Sequence, residues 1–193
     1  MVHITYPVLN QIDLDKLKQE LEERHQRVQW GVNNIWDFDS LVQDQNGSEL
    51  VRKIYFHEIN RFRNSQQDIN YMIFFNKGSS PETGAIMLSG ALCEKTGLQY
   101  AIAYLNRQSL TVDRVKWGRL GGSTRYLDGG GILLTERLSD SKPIISASEK
   151  VCERGEKIKL VIAYSTSICL EQTLGEDLSK KGIELKVLFN DKK

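Results

Sequence analysis

From residue 70 onward, short apolar runs alternate with amphipathic or small-residue stretches. YMIFF (71–75), QYAIAYL (99–105), GILLT (131–135), KLVIAYS (159–165) and ELKVLF (184–189) are rich in β-branched and aromatic residues and bounded by turn formers. Each predicts a strand. Their apolar character is nearly continuous rather than alternating, as expected of strands covered on both faces. Between them, Ala85 to Lys95 (closed by Gly97), a stretch near 144–153, and Leu170 to Lys181 predict helices. This alternation predicts an α/β fold, a doubly wound parallel β-sheet flanked by helices.

Before residue 66 the period is helical. Leu14, Leu17, Leu21 and Val28 recur at helical spacing within 13–28, with Asp13 as a candidate N-cap. Leu50, Val51, Ile54, Tyr55 and Ile59 form the apolar face of a second helix, from Ser48, its candidate cap, to Arg63. Residues 31–47 carry Gly31 and Gly47 and read as loop, pinned by Trp36, Phe38 and Leu41. The expected organisation is one domain over 1–193, with a helical N-terminal region (1–65) and an α/β core (66–193).

Composition narrows the partners. The chain has 193 residues, 40% of them hydrophobic and 26% charged, which is ordinary for a globular domain. Its 26 basic and 25 acidic residues leave a net charge of +1, so no global field draws nucleic acid or an anionic membrane. The start, MVHITYPVLN, lacks a cationic segment followed by an apolar one, and no apolar run is long enough to span a bilayer. A cytoplasmic location is the expectation. Cys93, Cys152 and Cys169 form no CxxC pair, and His3, His25 and His57 stand apart, so no metal site is expected. Cys93 and Cys152 are read as small buried residues on helices.

Ligands of open parallel sheets bind beyond the carboxyl ends of the strands. Four segments leave such ends: 76–84, 106–130, 136–143 and 165–170. The first, NKGSSPETG, leads into a helix, and its Lys77, Gly78, Ser79 and Ser80 suit a phosphate or pyrophosphate at a helix N-terminus. A plain strand-to-helix turn is the alternative, and the P-loop ending GK[ST] is missing. Between Asn106 and Leu127 the long second segment holds Arg107, Arg114, Lys116, Arg119 and Arg125 against one acid, Asp113. Its LTVDRVKW (110–117) alternates like an edge strand or hairpin. It reads as a basic flap over a polyanion or as a solvated excursion. Gly129 to Gly131 precede a strand, whereas a dinucleotide fingerprint follows one.

In this order of elements, with ILLTERLSDSKPIISASEKV (132–151) after the flap, residues 70–189 resemble the type I phosphoribosyltransferases. The run LEQTLGEDLSKKGIELKVLF resembles the end of an orotate-type member. The resemblance implies a sheet edge that binds phosphoribosyl pyrophosphate (PRPP), or another phosphorylated small molecule, with Mg2+ bridging the pyrophosphate. It also implies a homodimer. In that family two acids hold the ribose hydroxyls and a Thr-Thr-Gly-type turn holds the 5′-phosphate. Here Glu136 fills the first acidic position, Arg137 replaces the second, and Asp140, Ser141 and Lys142 stand at the turn. A carboxylate at 140 repels a phosphate at close range. Lys116, Arg114 and Arg119 match the flap cations that clamp pyrophosphate. The implied catalytic set is Lys116, Arg114 and Glu136. Two readings remain at this point: a transferase moving ribose 5-phosphate from PRPP to a nitrogenous base, or a non-catalytic relative that binds a nucleotide or phosphate or serves as an interaction module. Nucleic-acid binding through the flap, with Trp117 and Tyr126 stacking, is disfavoured by the neutral charge.

Overall fold

The computed structural model describes residues 5–24, 27–30, 33–36, 38–66, 68–76, 83–106, 108–118 and 129–191. In chain order the elements are α1 (Gln11–Arg24), β1 (Arg27–Trp30), β2 (Asn33–Trp36), α2 (Phe38–Gln43), α3 (Gln45–Ser65), β3 (Ile69–Asn76), α4 (Thr83–Thr96) and β4 (Gln99–Asn106). There follow β5 (Thr111–Trp117), β6 (Gly130–Leu138), α5 (Lys142–Cys152), β7 (Lys157–Ser167), α6 (Ile168–Ser179) and β8 (Glu184–Asp191). Six strands form one sheet in the order β5-β4-β3-β6-β7-β8. Every pairing is parallel except β4 with β5.

The sheet is covered on both faces, which explains the unbroken apolar runs of its central strands. Met72, Phe74, Ile132, Leu134, Ile162 and Tyr164 pack against α1 to α4. Tyr71, Ile73, Leu133, Val161 and Ala163 pack against α5 and α6. The five strands expected from sequence are β3, β4, β6, β7 and β8, and β5 is the edge strand read in 110–117. The strands run further than their apolar cores. β6 continues through Glu136, Arg137 and Leu138, because Arg137 and Leu138 still pair with Ser165 and Thr166 of β7.

The N-terminal region is not wholly helical. The helix expected over 13–28 stops at Arg24, and Val28 pairs instead with Ile35 in an antiparallel β1–β2 ladder. Aromatic and β-branched residues in both segments favour that ladder. α3 begins before Ser48, because the Asp44 carboxylate accepts the Gly47 N–H at 2.7 Å and caps it. Cys93 is buried, and burial pushes its thiol up to about 11. Cys152, expected to be buried, is exposed: it ends α5 one residue beyond buried Val151.

The glycines at 129–131 solve a packing problem. The Tyr71 side chain lies across β6 and donates its hydroxyl to the Lys157 carbonyl of β7 at 3.0 Å. It crosses directly over its register partner Gly131, where a Cβ would come within 2.0 Å of the ring. Gly129 has φ +151°, a conformation L side chains rarely adopt.

A second anchor holds residues 6–9 against α3. Tyr6 and Asn64 exchange hydrogen bonds of 2.7 and 2.9 Å, and Arg63 stacks on the Tyr6 ring at 3.6 Å. The Leu9 N–H donates to His57 Nδ1 at 3.0 Å, which requires that nitrogen to be unprotonated. Burial depresses the His57 pKa; the Glu58 carboxylate opposes this, while Arg61, Lys18 and Lys186 add to it.

Two expectations follow. Gly131→Ala should cost about 2–3 kcal/mol or more in urea denaturation, because the core must overpack or release Tyr71; an unchanged midpoint would contradict the crossing. For His57, the unfolded chain takes up a proton first, at about pH 6.5. Its contribution to stability is therefore complete above that pH and is lost as pH falls through the lower folded value. Melting temperature should decline between pH 7.5 and 5.5, and His57→Gln should flatten the decline; an unchanged slope would contradict it.

Candidate functional site

The carboxyl ends of β3, β4, β6 and β7 share one edge of the sheet, and α5 begins there. Strand alternation divides the end of β6 between the two faces. Ile132 and Leu134 face α1 to α4, which carries Glu136 to the same side. Leu133 faces α5 and α6, and Thr135 and Arg137 follow it. On that second side is a cavity of about 200 Å³, lined by Phe75, Leu105, Leu110, Thr135, Arg137, Leu138, Ser139, Asp140 and Pro143.

The loop between β6 and α5 is fixed at both ends. Thr166 Oγ1, fully buried, donates to the Leu138 carbonyl at 2.6 Å. Asp140 Oδ1 accepts the Lys142 N–H at 2.8 Å, so the loop's own carboxylate sits at the start of α5. The Ser141 side chain makes no cap bond, and Pro143 brings no N–H to the first turn. A helix start normally presents several free N–H groups to an anion. Here one is taken and another is missing.

The β4–β5 turn forms the opposite wall. Asn106 Oδ1 accepts from the Gln108 and Ser109 N–H groups at 3.0 and 3.3 Å, and Leu110 N–H donates to the Asn106 carbonyl at 2.9 Å. Val112 N–H donates to Ser146 Oγ of α5 at 2.8 Å, which pins the hairpin to the helix. Leu110 has φ +56°, and among the described residues no other non-glycine has a positive φ. That costs about 1–2 kcal/mol for a residue with a Cβ.

The expected catalytic set does not gather. β5 turns back from the edge, so Lys116 pairs with Ile102, four residues before the end of β4. At about 3.3 Å per residue that is roughly 13 Å from the edge. Arg114 pairs with Tyr104 and lies over its ring at 4.4 Å. β5 and β6 are separated by β4 and β3, which puts Arg114 roughly 14 Å from Glu136 at a strand spacing of about 4.8 Å. The antiparallel return, a long-range pairing, is the physical reason these two residues stand apart from Glu136. Lys77, Gly78, Ser79 and Ser80, with Arg107, Arg119, Arg125 and Tyr126, lie outside the described residues. Glu136, Arg137, Asp140, Ser141 and Lys142 do lie together at the end of β6 and the start of α5. Sequence reasoning missed Leu110, Leu105 and Thr166. The polar end of KLVIAYSTS was the available signal for Thr166; nothing marked Leu110.

No group of three His, Cys, Asp or Glu suited to a metal occurs among the described residues. No helix among them is long and apolar enough to cross a membrane.

No protein-family model and no curated protein matches the sequence. Solved structures do. Adenine phosphoribosyltransferase from Saccharomyces cerevisiae is similar at a TM-score of 0.64 and 10% identity, over 91% of this chain and 99% of that one. The adenine enzyme from Trypanosoma brucei, solved with AMP, pyrophosphate and ribose-5-phosphate, is similar at 0.63 and 10% identity, over 98% and 87%. Leishmania donovani UMP synthase is similar at 0.57 and 11% identity over 92% of this chain, which spans only 35% of that protein. The shared fold is that of the type I phosphoribosyltransferases.

Proposed function

We propose that this chain, folded as a type I phosphoribosyltransferase, transfers ribose 5-phosphate from PRPP to a nitrogenous base. One observation carries the reading. The fold match runs over 91% of this chain and 99% of an adenine phosphoribosyltransferase chain, and Glu136 stands near the carboxyl end of β6.

In the reaction the bond from ribose C1 to pyrophosphate breaks, the base nitrogen forms the new bond and gives up its proton to the departing pyrophosphate or to solvent, and pyrophosphate leaves. Charge builds on the ribose as that bond lengthens, so positioning and electrostatics supply the catalysis. Glu136 is assigned to the ribose hydroxyls, which it holds as an acceptor of their hydrogen bonds. Lys77, Gly78, Ser79 and Ser80 are assigned to pyrophosphate. Ser141, Lys142 and Arg137 are the donors available at the 5′-phosphate. Mg2+ needs few protein carboxylates when it arrives with substrate phosphates, so a single Glu136 suits it; the ion would neutralise charge on the departing pyrophosphate. Arg114 and Lys116 are left out of the set by their position on β5.

The Asp140 bond to the Lys142 N–H supports a second reading, in which a phosphorylated ligand binds weakly and no transfer follows. Calorimetry with PRPP and magnesium, followed by pyrophosphate release with adenine and orotate, separates the two. Saturable binding near one per chain, base-dependent pyrophosphate release, and a loss in Glu136→Gln of roughly 100-fold or more in kcat/KM are expected. Binding without release would favour the second reading. No binding at millimolar PRPP would overturn both.

A further inference from the structure

We infer that residues 6–9 form a latched strap, which protonation of His57 releases from α3 while the rest of the domain stays folded. This does not rest on the transferase reading. His57, Asn60 and Asn64 follow one another at helical spacing, which puts them on one face of α3, and the strap lies along it. Tyr6 N–H donates to Asn64 Oδ1 at 2.7 Å, and Asn64 Nδ2 donates to the Tyr6 carbonyl at 2.9 Å. Asn60 Nδ2 donates to the Pro7 carbonyl at 2.8 Å, and Leu9 N–H donates to His57 Nδ1 at 3.0 Å. Arg63 donates to the Tyr6 hydroxyl at 2.6 Å and to the Thr96 carbonyl at the end of α4 at 2.9 Å.

The two partners in this contact are held very differently. α3 belongs to the core through Ile54, Ile59 and Phe62. The strap buries little apolar surface: Pro7 is exposed and Val8 is 48% exposed. Polar bonds hold it, each worth about 0.5–1.5 kcal/mol net. A segment with few buried apolar contacts opens locally at far less cost than global unfolding. α1 is anchored separately, by buried Leu14 and Leu21, and Asn10 caps it by accepting the Asp13 N–H at 2.9 Å. The hinge therefore falls at Asn10, between the strap and α1.

His57 is the latch that a proton can open. Nδ1 accepts only while it carries no proton, and an imidazolium has two donors and no acceptor. Protonation would leave the Leu9 N–H facing another N–H. Among the charges around His57, Glu58 on α3 favours the cation, while Arg61 on α3, Lys18 on α1 and Lys186 on β8 oppose it. Glu58 is already engaged by Arg61 at 3.0 Å and by Lys186 at 3.6 Å. The closed strap thus disfavours the proton, and the open one lets His57 reach water. Opening and proton uptake are linked, so opening grows as pH falls below about 6.5, by up to about tenfold per pH unit, until the lower value of the closed state is reached.

Hydrogen exchange of single amides, followed by NMR on the full chain between pH 7.5 and 5.5 and expressed as protection factors, tests this. The factors of Leu9 and Tyr6 should fall together by roughly threefold or more, with the fall confined to pH below 6.5. The amides of Ile73 and Leu133, in the central strands, should keep theirs. His57→Gln removes the titration and should leave the Leu9 and Tyr6 factors level across the range. Constant protection of Leu9 in the parent chain would overturn the inference. So would loss at Leu9 with Tyr6 unchanged, parallel loss at Ile73 and Leu133, or the same pH dependence in His57→Gln.

Discussion

The register of β6 governs the rest of the molecule, and the Tyr71 side chain holds it. That ring reaches from β3 over Gly131 to a carbonyl of β7, tying three adjacent strands at their amino ends. The crossing is possible only where β6 has no Cβ. Side chains alternate along a strand, so a slip of one residue would exchange its two faces. Five and six residues further along β6, the register set against β3 sends Glu136 toward the α1–α4 side and Arg137 toward α5. Burial of Tyr71, between β6 and Trp117 at a ring distance of 5.0 Å, pushes its hydroxyl pKa up and keeps it a neutral donor.

Two consequences meet at the opposite edge. The loop after β6 is fixed by Thr166 before α5 begins, and Asp140 then occupies the first amide of that helix. The β4–β5 turn is bonded to α5 through Ser146 and faces the same space with Leu110. The edge therefore has two unlike halves. Glu136 follows Ile132 and Leu134 toward the α1–α4 side. Arg137, Asp140 and apolar walls make a small pocket on the other side. A fold shared with adenine phosphoribosyltransferases is compatible with this division, because the fold fixes where a site lies and the side chains decide its chemistry.

The central strands were legible because both their faces are buried, which leaves an unbroken apolar run in the chain. Their ends were not: the pairing that carries β6 through Glu136 to Leu138 uses backbone bonds that polar residues share equally well. Val28 fitted the spacing of the preceding helix, and only its pairing with Ile35 shows otherwise. The direction of β5 was equally hidden, since the same alternation serves a flap reaching over a ligand or a strand returning along β4. Asp140 was visible as a charge in the wrong place for a phosphate. Its bond to Lys142 N–H was not, nor was the conformation of Leu110, because nothing in the residue type signals a left-handed turn.

The most direct measurement is the affinity of PRPP with magnesium for Asp140→Asn against the parent chain. Asparagine keeps an acceptor for the Lys142 N–H and removes the charge. Two unit charges about 4 Å apart interact by about 1 kcal/mol even in bulk water. If the Asp140 carboxylate holds the seat that a phosphate would take, the variant binds PRPP at least fivefold more tightly. Equal or weaker binding would mean that PRPP does not approach the start of α5, and the phosphate assignment at that loop would fail.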